Sequence, residues 1–438
     1  MSDLSNKLKF SVEWEDPCAA RGDELRATWC RLSIHVGQTP VTRVIDERAQ
    51  TVREAVYCSA YPLAEWFAFN WWSILNESER PSSAGEQHNL RFAREGFALP
   101  DLELFSEDSL VRAIWKPYRP TAAPVRFLDE GFALLESKEV ASEIETFVSK
   151  VVARLESQGM SHTKLTDEWT AIREASGGEK EFCETVGALG LDPYDLEDKK
   201  ANEIFSIAKN LPVEMRREFF LAADSTALAQ QARWVSKCLR QLDDYDHEIK
   251  TKLAGKKGLY RAEARSATPW QTGYDLARKY RNDFSLGNST KPLSIDKLSG
   301  LKKGIIPVFR VGEEHQLDAV VKLAANFGPQ VATSKARESG KGYLLARALC
   351  EFLCSDLEES ALLTRISSDK QKRNRAFAAE LLAPADGIRK LLSGSRIVRD
   401  EVAEVAAHLG VSEWLVEHQV QNHRIATVEG TIPLLASK

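Results

Sequence analysis

The sequence predicts an α+β protein, and three observations carry that prediction. Apolar residues alternate one by one near the N-terminus, change to helical spacing from about Ala141, and return to short strand-like runs before a last helical stretch that begins at Gly342. Taken in order, Leu8, Phe10, Val12 and Trp14 alternate with Lys9, Ser11 and Glu13, and Cys30, Leu32, Ile34 and Val36 alternate with Arg31, Ser33 and His35, the period of strands with one buried face. A hairpin is expected around residues 106–109, between strands at 102–105 and 110–115. Residues 61–77, YPLAEWFAFNWWSILNE, point apolar side chains in nearly every direction at helical spacing, so this aromatic helix is expected inside the core. Ile144, Phe147, Val148, Val151, Val152 and Leu155 then form one helical stripe, and Gly190 followed by Asp192 and Pro193 marks a helix stop and a new start. Short β runs are expected at 305–311 and 318–322. The prediction is therefore three domains: a β-rich α+β domain over 1–140 with the buried aromatic helix, a helical domain over 141–290, and a mainly helical domain with a small sheet over 291–438.

Length and composition agree with that division. The 438 residues carry 59 Lys+Arg against 64 Asp+Glu, a formal charge of −5, and are 43% hydrophobic and 28% charged, which excludes a disordered or fibrous chain. No apolar run approaches the ~18 residues a membrane helix needs, and the opening MSDLSNKLKF lacks the features of a signal peptide, so a cytoplasmic protein without a membrane partner is expected. The cysteines at 18, 30, 58, 183, 238, 350 and 354 are odd in number and scattered, with no C-x-x-C pair; they are expected to be reduced and mostly buried.

One segment departs from the overall charge balance. Residues 250–310 hold fourteen Lys/Arg and four acids, interleaved with Tyr260, Trp270, Tyr274 and Tyr280. Two readings stay open. The mixture suits a groove for phosphates and bases, with Lys256, Lys257, Arg261, Arg265, Arg278 and Lys279 as contacts, or it is a solvated helix face with lysine-rich loops.

The stretch 342–423 carries the most chemistry: GYLLARALCEFL, then NRAFAAELLAPADGIRKLL, then EVAEVAAHLGVSEWLVEHQVQNH. The phrase Phe377-Ala378-Ala379-Glu380-Leu381-Leu382-x-Pro384, behind a helix and ahead of a Gly-Val-Ser turn at 410–412, resembles the catalytic half of the ImmA/IrrE family of metallopeptidase-like proteins. The resemblance covers about the last 130 to 150 residues and implies a zincin-like domain. Such a peptidase needs H-E-x-x-H on a helix, because residues four apart lie one turn above each other and both imidazoles reach one ion, while the Glu polarises the bound water. Set against the family's LAHELGHLL, this sequence places Arg347 at the first His, Ala348 at the catalytic Glu and Glu351 at the second His; the third ligand position falls on Gln371. Arg347 has no lone pair to give, Ala348 takes no proton and Gln371 is a weak neutral ligand. No metal and no cofactor are expected.

Two readings of Arg347 follow. Its guanidinium occupies the place of the cation with Glu351 and Gln371 as partners, or Arg347 and Glu351 form a solvent-edge i, i+4 pair worth a few tenths of a kcal/mol. A Cys/His metal site from Cys350, Cys354, His408, His418 and His423 is a remote alternative. Residues 401–420 also have the spacing of a helix-turn-helix, but the second helix offers Glu413, Trp414, Glu417, His418 and Gln419, which argues against the DNA major groove and for packing or protein docking. Trp66, Trp71 and Trp72, with Glu65 and Asn70 as polar handles, line a ligand pocket or are plain core.

A cleft without its chemistry is most simply a binding device. The resemblance implies a setting of stress response, mobile-element control or phage defence, and the first expectation is a non-catalytic sensor, scaffold or regulator holding a protein partner, an effector or repressor encoded nearby. The alternatives are an active zinc peptidase that draws ligands from Glu358, Glu359 or the C-terminal histidines, and a nucleic-acid-binding regulator using the basic segment.

Overall fold

A computed structural model describes residues 7–16, 21–80, 85–93, 95–121, 123–243, 253, 255–264, 268–287, 289–293, 316–325, 328–333, 338–355 and 359–429. Helices and small antiparallel sheets are mixed, as an α+β chain requires. The chain divides into two compact units, Met1–Ala201 and Asn202–Ser437.

In the first unit the alternating segments are strands. β1 (Leu8–Trp14) pairs antiparallel with β2 (Trp29–Val36), which also pairs with β3 (Thr39–Pro40). β4 (Val44–Asp46) and β5 (Thr51–Arg53) belong to a second small sheet, and β6 (Val56–Ser59) returns to β2. The hairpin is β7 (Asp101–Glu107) and β8 (Leu110–Lys116), turning through Asp108 at φ +73°, where a short polar side chain tolerates the left-handed region. β9 (Val125–Phe127) joins β4, and β10 (Gly131–Glu136) joins β8.

Helix α1 (Asp23–Ala27) precedes β2. The aromatic stretch is helical and largely buried, yet it forms two helices, α2 (Tyr61–Phe69) and α3 (Trp71–Asn76), where one was expected. The break falls at Asn70, whose side-chain amide donates to Trp66 O at 2.8 Å and competes with the helical ladder. α4 (Ser137–Ser157) buries Ile144, Phe147, Val148, Val151 and Leu155. It also closes the outer edge of β1: Glu143 Oε1 accepts from Phe10 N at 2.7 Å and Lys150 Nζ donates to Val12 O at 2.9 Å. The boundary expected at 140/141 thus falls inside this unit, because the helical stripe finds its apolar partner on the preceding sheet. α5 (Lys164–Glu174) and α6 (Gly177–Ala188) complete it, and the division falls within α7 (Asp198–Asn210).

The second unit is built on a three-stranded antiparallel sheet of order β12-β11-β13, with β11 (Leu317–Ala324), β12 (Gly328–Thr333) and β13 (Ser360–Thr364). Part of β11 is the strand expected at 318–322; the run expected at 305–311 lies outside the described residues. α8 (Val213–Ala222) and α9 (Leu228–Asp243) pack on the sheet, as does α11 (Glu338–Cys354), so the strands are buried almost throughout. Ala319, Val321 and Leu323 share one core with Leu344, Ala348, Leu349 and Phe352 of α11.

α10 (Pro269–Asp283) and α12 (Asp369–Leu382) approach closely at Gly273, where a Cβ would strike the Arg373 carbonyl oxygen and lie 2.9 Å from Phe377 N. α13 (Ala385–Leu391) leads to β14 (Arg396–Ile397), which pairs with β15 (Thr427–Val428). Between these strands, α14 (Arg399–Leu409) ends on Gly410 at φ +69°, and Ser412 caps α15 (Glu413–Asn422) by accepting from Leu415 N. Val402, Val405, Leu409, Leu415, Val416 and Val420 all enter the same core, so this helix pair packs within its own unit.

Candidate functional site

Helix α11 carries Arg347 and Glu351 one turn apart, and both are 2% exposed. A solvent-edge pair is therefore excluded by burial. Nor do the two partner each other. Arg347 Nη1 donates to Asp318 Oδ2 at 2.7 Å, and Nη2 donates to Gln371 Oε1 and to Thr364 O, each at 2.6 Å. Gln371 is the partner expected from the sequence. Asp318 takes the place expected of Glu351.

The reason lies in the sheet. The register of β11 against β13 shifts between Leu317 and Ala319, which leaves Asp318 at a bulge, a distortion that re-aims a strand side chain. Its other oxygen accepts from Arg365 Nε at 3.2 Å. Glu351 turns instead to α12, where Lys370 Nζ lies at 2.7 Å, Asn374 Nδ2 donates at 2.7 Å and Arg373 stands at 3.5 Å; Ser355 Oγ adds a contact at 3.3 Å. Burial pushes the Glu351 carboxyl up, but Lys370 and Arg373 outweigh it and hold it below the usual carboxylate range.

Gln371 connects this pair of helices to α8. Its Oε1 accepts from Arg347 and from Thr364 N (3.2 Å), while its Nε2 donates to Glu218 Oε2 (2.9 Å) and Leu362 O (2.8 Å). Both donors and both acceptor sites of the amide are filled, which a carboxylate could not do beside Glu218. Glu218 further accepts from Ser368 Oγ at 2.6 Å. The network thus draws Asp318, Arg347, Gln371 and Glu218 from four different elements, and all four side chains are buried.

The guanidinium donates no electron pair, Ala348 is fully buried with no titratable group, and the carboxylates of Asp318 and Glu218 are held by hydrogen bonds. Among the described residues, no group of three or more His, Cys, Asp or Glu is placed to hold a metal ion. Cys350 and Cys354 are buried free thiols; Cys18 and Glu358 lie outside the described residues. The three C-terminal histidines go separate ways: His408 Nε2 meets Thr290 O at 2.8 Å, His418 lies tilted against the Trp414 ring, and His423 stands 3.4 Å from Glu380 Oε2.

Glu380, inside the FAAELL phrase, is a buried junction. It accepts from Arg278 Nε at 3.0 Å, Gln419 Nε2 at 2.9 Å and Ala385 N at 3.3 Å. Arg278, assigned to a nucleic-acid groove as one reading, is therefore a tie between α10 and α12. Lys279 is paired with Glu263, and Arg265 lies outside the described residues. Tyr260, Tyr274 and Tyr280 are buried, so these rings cannot stack on bases. Lys256, Lys257 and Arg261 sit on turns whose backbone caps α11: Gly258 N donates to Phe352 O at 3.0 Å and Tyr260 N to Leu353 O at 2.8 Å.

Glu65, Trp66 and Asn70 belong to the first unit, and Arg347, Glu351 and Gln371 belong to the second. Glu65 accepts from Tyr61 OH at 2.8 Å, Trp66 Nε1 donates to Glu86 O at 3.3 Å, and Asn70 bonds its own helix; Trp72 is core, and Trp71 meets Trp169 edge-on. These polar handles answer local partners. No helix among the described residues is long and apolar enough to cross a membrane. The chain matches no protein-family model and no curated protein.

Proposed function

We propose that the second unit is a zincin-like shell of the ImmA/IrrE kind that has lost its hydrolytic centre and serves to bind a protein partner, as a sensor, scaffold or regulator in bacterial stress response, mobile-element control or phage defence. The observation that carries this reading is the Arg347–Gln371 bond at 2.6 Å. On the resemblance, these are the positions of the first and third zinc ligands, and here they meet directly as cation and amide. Glu351, at the position of the second ligand, is neutralised by Lys370 rather than open to a metal.

The test is elemental analysis of the purified full chain after incubation with zinc, combined with cleavage of unstructured protein substrates with and without a chelator. The expected result is zinc well below one per chain and no chelator-sensitive cleavage. Stoichiometric zinc that is lost in Glu351→Gln, together with chelator-sensitive cleavage, would replace this reading with an active metallopeptidase.

A further inference from the structure

The six cysteines among the described residues are free thiols, and four of them stand in two pairs. Cys30 of β2 and Cys58 of β6 face each other across the sheet of the first unit, and both are wholly buried. Cys350 and Cys354 lie on α11, one turn above the other. Four residues of helix rise about 6 Å, which falls inside the roughly 4.4–6.8 Å between Cα atoms that a disulfide spans. The two side chains already meet, Cys350 donating its S–H to the sulfur of Cys354. That bond holds the Cys354 thiol below its ordinary range although burial opposes it, while burial pushes the Cys350 thiol up. Cys350 is sealed in the core, whereas Cys354, the last residue of α11, keeps 9% of its surface open.

We propose that Cys350 and Cys354 are an oxidant-sensitive dithiol, which hydrogen peroxide closes into a disulfide within α11, Cys354 reacting first and Cys350 resolving. The Cys354 sulfur attacks one peroxide oxygen, the O–O bond breaks, and the departing hydroxide takes the thiol proton to leave as water, giving a sulfenic acid. The Cys350 sulfur then attacks the sulfenic sulfur, the S–O bond breaks, and a second water departs with the Cys350 proton. The dithiol loses two electrons and the peroxide gains them. Only the outer sulfur has to be reached, because the inner one is already in contact with it. The modification brackets Glu351, whose bonds to Lys370 and Asn374 join α11 to α12, so it falls at the seam between these helices. The site does not depend on the unit being a former peptidase, since only the two thiols and their exposure enter.

The full chain is exposed to a small molar excess of hydrogen peroxide, unfolded in iodoacetamide and digested with trypsin, which releases both cysteines in one peptide, Ala348–Arg365. This peptide should lose both alkylation sites and emerge lighter than its dithiol form by two hydrogen atoms, with full recovery after dithiothreitol. Cys30 and Cys58 should stay alkylated, because neither sulfur of that pair reaches solvent in the folded chain. Cys350→Ser removes the resolving thiol and should stop the reaction at a Cys354 sulfenic acid that dimedone captures. The proposal falls if peptide 348–365 remains doubly alkylated, if Cys30 and Cys58 are lost as fast, or if the new bond joins two chains. The peptide measurement uses the unaltered chain, so it decides the matter even if Cys350→Ser fails to fold. Failure here leaves the zinc and cleavage experiment standing, because neither thiol enters that reading.

Discussion

Replacing Arg347 by methionine removes the charge and keeps much of the side-chain volume. Three bonds disappear at once: to Asp318 Oδ2, Gln371 Oε1 and Thr364 O. Gln371 Oε1 retains Thr364 N, and Asp318 retains Arg365, but one carboxylate oxygen and one carbonyl are left buried without that donor. Both members of the ion pair are 2–3% exposed, so solvent screening does not reduce the loss. Breaking a pair of this kind by deleting one partner costs about 3–5 kcal/mol. A surface i, i+4 pair would cost ~0.3–0.5 kcal/mol, a tenfold difference that an ordinary urea titration resolves. Amide hydrogen exchange is the better assay, because it reports α11 and α12 separately from the rest of the chain. Their slowest amides should exchange roughly a hundredfold faster or more in Arg347→Met. Asp318→Asn should then add much less in the Arg347→Met background than alone, by about 1–3 kcal/mol of coupling. Unchanged protection in Arg347→Met, or strict additivity with Asp318→Asn, would refute the buried-pair account.

Two further outcomes follow from the same packing. The Glu351 carboxyl is held below its unperturbed value of 4.5, so its contribution is complete above about pH 4.5 and is lost as pH falls through the lowered folded value. The unaltered chain should therefore lose stability on acidification more steeply than Glu351→Gln, in urea midpoints taken from pH 7 down to pH 3; parallel curves would remove Glu351 from the acid response. Gly273→Ala drives a methyl group into the Arg373 carbonyl, a backbone atom that cannot step aside, and should destabilise by about 1–3 kcal/mol, whereas a midpoint equal to that of the unaltered chain would show that α10 and α12 separate freely.

Local periodicity was enough to place β1, β2, the β7–β8 hairpin and the buried stripe of α4, because each rests on side-chain spacing within one element. It also placed Arg347 and Glu351 on one helix, whereas the pairing of Arg347 with Gln371, seen at 2.6 Å, was expected only from the family resemblance. What it could not supply was the partner of Arg347 at Asp318, the reach of Glu218 from α8, or the burial of Tyr274 and Tyr280 in a segment that reads as basic. Asp318 stands in LDAVVKLA as one acid in an apolar strand, a hint of a buried charge but not of its cation. The bond from Gln371 to Glu218 spans 153 residues of chain, and a bulge decides where Asp318 points. Spacing along the sequence determines which side chains share a face. Which charges neutralise one another is decided only when distant elements pack, since a buried ion must find its counter-charge in space, whatever the distance along the chain.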